Sequence, residues 1–187
     1  MTPALALPPG PLSALAALQA SPAWLALAAA GASYAWGVHR AGRWPRARSL
    51  AFATALAALA LALAPSIDAA AEQRLSLHMV QHLLISMVAA PLAVWSAPVR
   101  LLLRAQGPPA RRRTARALHA PALRALAHPL AGLALFVGVG VAAHVPAVYE
   151  AALGHPALHA VEHAAFFWSA VALWSPLIAA DPLPRRV

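Results

Sequence analysis

The chain has 187 residues, of which 61% are hydrophobic and 10% charged, with a net charge of +9 and no cysteine. So apolar a composition, set against the roughly 45–50% of ordinary globular domains, points to a protein built for lipid. The missing cysteine excludes disulfides, zinc ribbons and thiolate copper sites. Every one of the 14 basic residues is Arg, and nearly all lie in short stretches between apolar runs, including RRRTAR at 111–116. That placement argues for membrane topology and against nucleic-acid binding.

The N-terminal MTPALALPPGPLSALAALQA has no basic leader and is broken by Pro3, Pro8, Pro9 and Pro11, a poor cleaved signal peptide. Its second half suits a short interfacial helix. Beyond it, five apolar stretches approach or exceed the roughly 20 residues that cross a ~30 Å hydrocarbon core: about 22–39, 49–67, 75–97, 126–149 and 156–180. All should be helical, because a lone segment in lipid must satisfy its own backbone. The predicted fold is an all-α, polytopic helix bundle of about five transmembrane helices forming one membrane domain over residues 1–187. Residues 98–124, with Arg100, Arg104, Arg111, Arg112, Arg113, Arg116 and Arg124, predict a cytoplasmic basic amphipathic loop on the inner leaflet. Pro91, Pro129, Pro146 and Pro176 are candidate kinks, and Trp24, Trp95 and Trp174 read as interfacial or packing residues.

Arginines set the orientation. Arg40, Arg43, Arg46 and Arg48 lie between the first two spans, seven more follow the third, and Arg185 and Arg186 end the chain. The alternate loops hold Arg74 with Asp68, Glu72 and Glu150. The positive-inside rule then puts the N-terminus outside and the Arg-rich loops in the cytoplasm.

Histidines give the chemistry. In the third span His78 and His82 are four residues apart, hence on one helical face, and the fifth span repeats the pattern with His159 and His163. Both pairs enter from the outer side at matched depth. The fourth span brings His144 to the same layer, roughly 7–8 Å below its outer end at 1.5 Å per residue. Five imidazoles in one layer are costly to desolvate and point to a metal site, with a polar packing cluster and a haem or other cofactor as alternatives. Stacked pairs on one side suit a compact ion better than the opposed ligands of haem. Imidazole accepts zinc, copper, iron or nickel, and thioether sulfur favours monovalent copper. Met79 approaches the His82 face, while Glu162 and Glu150 are placed to orient imidazole N–H groups. His39, His119, His128 and His155 fall outside the layer. HAVEH at 159–163 also fits the H-x-x-E-H pattern of inverted zinc peptidases, which leaves an intramembrane zinc hydrolase as an alternative, and the same ligands would serve a copper transporter or sensor.

HMVQHLL with the APL of 90–92 and the AP of 97–98, HVPAVYEAAL at 144–153, HPALHAVEH at 155–163, DPLPRR at 181–186 and RWPRARSLAF at 43–52 resemble the multi-pass CtaG family of bacterial cytochrome c oxidase assembly factors. The resemblance covers roughly residues 23–187. It implies a non-enzymatic copper-binding assembly factor in the bacterial plasma (inner) membrane, holding or delivering copper at the outer face to cytochrome c oxidase subunits or exchanging it with copper chaperones. It carries over to His78, His82, His144, His159 and His163 as ligands. Zinc and a homo-oligomer stay open, and members commonly continue for about two more helices than this chain.

Overall fold

The computed structural model describes residues 22–182, and every regular element among them is helical. The interfacial helix expected before residue 21, and Arg185 and Arg186, lie outside the described residues. Proline explains how so segmented a chain remains helical. Helices α3 (Pro65–Gln73), α6 (Pro98–Ala105), α7 (Pro108–Leu118), α8 (Pro121–Leu126), α9 (Pro129–Ala143), α10 (Pro146–Gly154) and α11 (Pro156–Ile178) each open on a proline. There the missing N–H is one that no helix would have used. Pro129 and Pro146 thus start helices rather than kink them, whereas Pro176 sits inside α11 and Pro91 inside the continuous helical run Leu75–Ala105.

α1 (Pro22–Ala41) ends at Gly42, whose φ of +72° turns the chain. α2 (Arg46–Ala62) is followed by α3 at a bend of 52°. One continuous rod then runs from Leu75 to Ala105: α4 (Leu75–Leu83), a π-helical turn over Leu84–Ala89, α5 (Ala90–Trp95) and α6, with Ala97 left-handed at the last junction. The rod therefore runs past the predicted end of the third span at 97 and takes the start of the expected loop with it. The rest of that loop forms α7 and α8, which have no buried residue. α9 and α10 form a second bent pair, at 74°.

Among the described residues two helices, Leu75–Ala105 and Pro156–Ile178, are long and apolar enough to cross a membrane, or up to four if each bent pair is one span. The first expected span, 22–39, does form the 20-residue helix α1 but is not among them. Ser33, Tyr34, Gly37, His39 and Arg40 dilute its apolar run.

The rod is central. α2 and α11 pack against its π turn and α5, α1 packs against α6, and α9 packs along the far side of α11. Small residues make this close approach feasible, as membrane helix interfaces require: Ala51, Ala55, Ala58 and Ala62 form the buried stripe of α2, and Ala89 and Ala90 are buried in the π turn and α5 against which α2 packs. The opposite faces stay apolar. Leu130, Leu133, Val137 and Val141 of α9 and Val161, Trp168 and Leu177 of α11 are exposed, a surface that water would disfavour and lipid tails accept.

Candidate metal centre

The antiparallel arrangement brings the start of α4, the start of α11 and the end of α9 to one end of the bundle. There His78 and His82 of α4 face His159 and His163 of α11, all four buried to 7% exposure or less. Ring centroids are 4.3 Å apart within each pair. Across the helices, His78 lies 5.6 Å from His159 and His82 lies 5.5 Å from His163. The i,i+4 spacing that stacks the rings on a helix face thus yields a near-square of four imidazoles. Phe166 closes it from below, 4.1 Å from His82, and Tyr149 of α10 meets His78 edge-on at 5.6 Å.

The hydrogen bonding is incomplete. His78 Nε2 and His82 Nε2 face each other at 2.8 Å, so one donates and the other accepts. His78 Nδ1, His82 Nδ1, His159 Nε2, His163 Nε2 and Glu162 Oε2 are buried with no partner. An unsatisfied buried polar atom costs about 1–3 kcal/mol, so five in one place form a strongly disfavoured arrangement unless something else occupies it. Lone pairs on neutral imidazoles beside a carboxylate are the donor set of a transition-metal ion, and the residues fit one.

A cavity of about 240 Å³ leads to this point, lined by His78, Met79, His82, His144, Glu150 and Glu162 among others. His144 is placed differently from the four. It caps α9, is exposed, and its Nδ1 lies 2.7 Å from the Gly140 carbonyl of its own helix. It borders the cavity without joining the ring cluster, because α9 stops at Ala143 and the chain turns at Pro146 instead of running to residue 149. Glu150 is exposed at the same rim.

Glu162 comes closer than an orienting role requires: one of its oxygens and one ring nitrogen each of His78 and His82 all lie within 4.8 Å of one another. Asp68 of α3 forms a second such group with His159 and His163, and its Oδ1 lies 3.7 Å from His159 Nδ1. In the sequence Asp68 reads only as loop charge. Gln81 gives as little sign of its role there, yet it is buried beside His82, and its Nε2 donates to the Ala62 carbonyl at 2.7 Å and to Asp68 Oδ1 at 3.0 Å. Gln81 fixes the carboxylate and ties α4 to the break between α2 and α3. A primary amide within an apolar helix is the available signal, since such a group must find a partner.

Fold and site together define a helical membrane protein with a buried histidine–carboxylate cluster near one end of the bundle. The chain matches the family described as cytochrome c oxidase caa3 assembly factor (Caa3_CtaG) over residues 32–187, and it belongs to that family. It is also similar to an uncharacterized protein of Mycobacterium leprae (strain TN), 27% identical over 158 residues, covering 80% of this chain and 24% of the relative. Another, from Mycobacterium bovis, is 28% identical over 162 residues, covering 79% of this chain and 23% of the relative. The chain therefore spans about a quarter of the length of these curated relatives. No solved structure matches it.

Proposed function

We propose that this chain binds copper in the cluster of His78, His82, His159 and His163 and holds or delivers it at the outer face of the bacterial plasma membrane during maturation of cytochrome c oxidase. The observation that carries this is the set of buried ring nitrogens without partners, which a metal ion would satisfy where scattered hydrogen bonds do not. Membership of an oxidase assembly family supplies the reason for copper. Met79 adds support, because it borders the same cavity and a thioether favours the monovalent ion. His144 and Glu150, at the cavity rim, are positioned to meet the ion as it enters or leaves rather than to hold it. In this reading copper is cargo, the chain performs no reaction on it, and its partners are oxidase subunits or copper chaperones that reach the outer end of the cavity.

The test is copper content of the full chain purified from copper-supplied cells, measured beside oxidase activity in the same cells. His82→Ala and His163→Ala should each lower bound copper sharply and oxidase activity with it, whereas His119→Ala, far along the chain on exposed α7's C-terminal cap, should leave both unchanged. Equal copper in all three, or normal oxidase activity without bound copper, would overturn the proposal.

A further inference from the structure

We infer that the centre consists of two adjoining three-donor sites, each built to take one imidazole-binding metal ion, rather than one site shared by four histidines. This rests on the metal-binding reading above and extends it. The donor atoms gather as two groups, His78, His82 and Glu162 in one and His159, His163 and Asp68 in the other. Each i,i+4 histidine pair is completed by a carboxylate from a different element: Glu162 of α11 faces the pair on α4, and Asp68 of α3 faces the pair on α11. Within a group the donors lie no more than 4.8 Å apart, close enough to contract onto one ion whose ligands, at bonds of about 2.0–2.1 Å, would sit roughly 3.3 Å from one another.

A single ion taking all four imidazoles would leave both carboxylates outside its shell. Glu162 Oε2 would then remain buried and unpartnered, an expensive position for an ionisable group. Division into two sites removes that penalty. It also places one anionic carboxylate beside each cation, which offsets the repulsion between two ions held side by side. Two imidazoles and one carboxylate leave open positions on each ion, as exchange of cargo requires. The sites differ in access: the His78–His82–Glu162 group lines the cavity, while Asp68, His159 and His163 are not among its walls. The second group meets the outside through Asp68, whose side chain is 40% exposed.

The experiment titrates the full chain in lipid nanodiscs with cupric ion buffered by nitrilotriacetate. It reads the equivalents retained and the electron paramagnetic resonance spectrum. The wild type should retain two equivalents with a spectrum broadened by coupling between neighbouring ions. Asp68→Asn and Glu162→Gln should each retain one equivalent, with the sharp spectrum of an isolated ion. One equivalent in the wild type would overturn the two-site inference while leaving the metal-binding reading intact; no retained copper would overturn both. Two uncoupled equivalents, or loss of both ions in each folded variant, would also defeat it. The wild-type ratio stands whether or not the variants fold.

Discussion

At the scale of single residues, the two ends of the bundle use polar groups in opposite ways. The histidine end gathers unpartnered ring nitrogens in one place, whereas the other end links Tyr34, Trp44, Ser96 and Asp181 through hydrogen bonds. Tyr34 stacks on Phe52 at 3.9 Å, donates to the Ser96 carbonyl at 3.1 Å and accepts from Trp44 at 3.0 Å. Arg48 and Arg104 both lie over the Trp44 ring at 5.7 Å, a favourable cation–π geometry. Asp181, beyond the end of α11, accepts from Val99 N and Arg100 N at the start of α6. Burial nevertheless pushes its carboxyl above the usual carboxylate range, outweighing those two donors. A raised folded-state value means that the stabilising contribution is fully present below the unfolded value of 3.8 and is lost as pH rises through the folded value. Relative to Asp181→Asn, the wild type should therefore lose thermal stability as pH rises from about 4 toward neutrality. Parallel melting curves for the two proteins in detergent across that range would refute this.

Among elements, α9 approaches α11 closely at Gly132. A Cβ on Gly132 would lie 2.5 Å from the Ala172 carbonyl oxygen and 2.8 Å from its carbon, and backbone atoms have no rotamer by which to retreat. Gly132→Ala should push α9 away from α11 and cost about 1–3 kcal/mol, the usual scale of overpacking. Gly138 and Gly140 lie on the same helix, where an added Cβ would meet nothing within 4 Å. Gly138→Ala should be neutral or stabilising by up to about 1 kcal/mol, because alanine is the better helix former. Unfolding in detergent or denaturant distinguishes the two, and equal effects would show that α9 does not pack as described. This contrast is invisible in the sequence, since the three glycines look alike in GLALFVGVGVA and only the neighbour's position separates them. Periodicity does reveal the His78–His82 and His159–His163 faces, because i,i+4 geometry is local. Asp68 and Gln81 are obscure for the opposite reason: their roles depend on where the bend after α2 carries α3, which no local pattern encodes.

For the whole molecule, the sequence conveys the helical class and the end at which the histidines meet, but its apolar stretches read as straight spans. Pro65 and Pro146 divide two of those stretches, and the short helices that follow, α3 and α10, fold over the histidine end instead of continuing along the bundle. They bring Asp68 and Tyr149 to the cluster. The arginine distribution predicts that this end faces outward. A cytoplasm-active reporter fused after Arg113 should give signal, and fusions after Pro65 or Gly154 should give none. Signal at Gly154 would place the cluster on the cytoplasmic side and remove the route for outward delivery of copper.

The π turn gives the central rod a property akin to a phase shifter. An α-helix advances about 100° per residue, so one surplus residue, accommodated over Leu84–Ala89, rotates everything after it relative to everything before. Above the turn the rod must show His78 and His82 to α11; below it, ahead of the left-handed Ala97, the Ser96 carbonyl must meet the Tyr34 hydroxyl. The widened turn lets one continuous helix satisfy both azimuths. It is anchored from both sides, with Ser86 Oγ donating to the His82 carbonyl at 2.6 Å and Trp174 Nε1 donating to the Ser86 carbonyl at 3.0 Å. The angular setting of the histidines is thus referenced to α11 itself, the helix that carries the other pair, so the two halves of the cluster are indexed to each other rather than to the distant end of the rod.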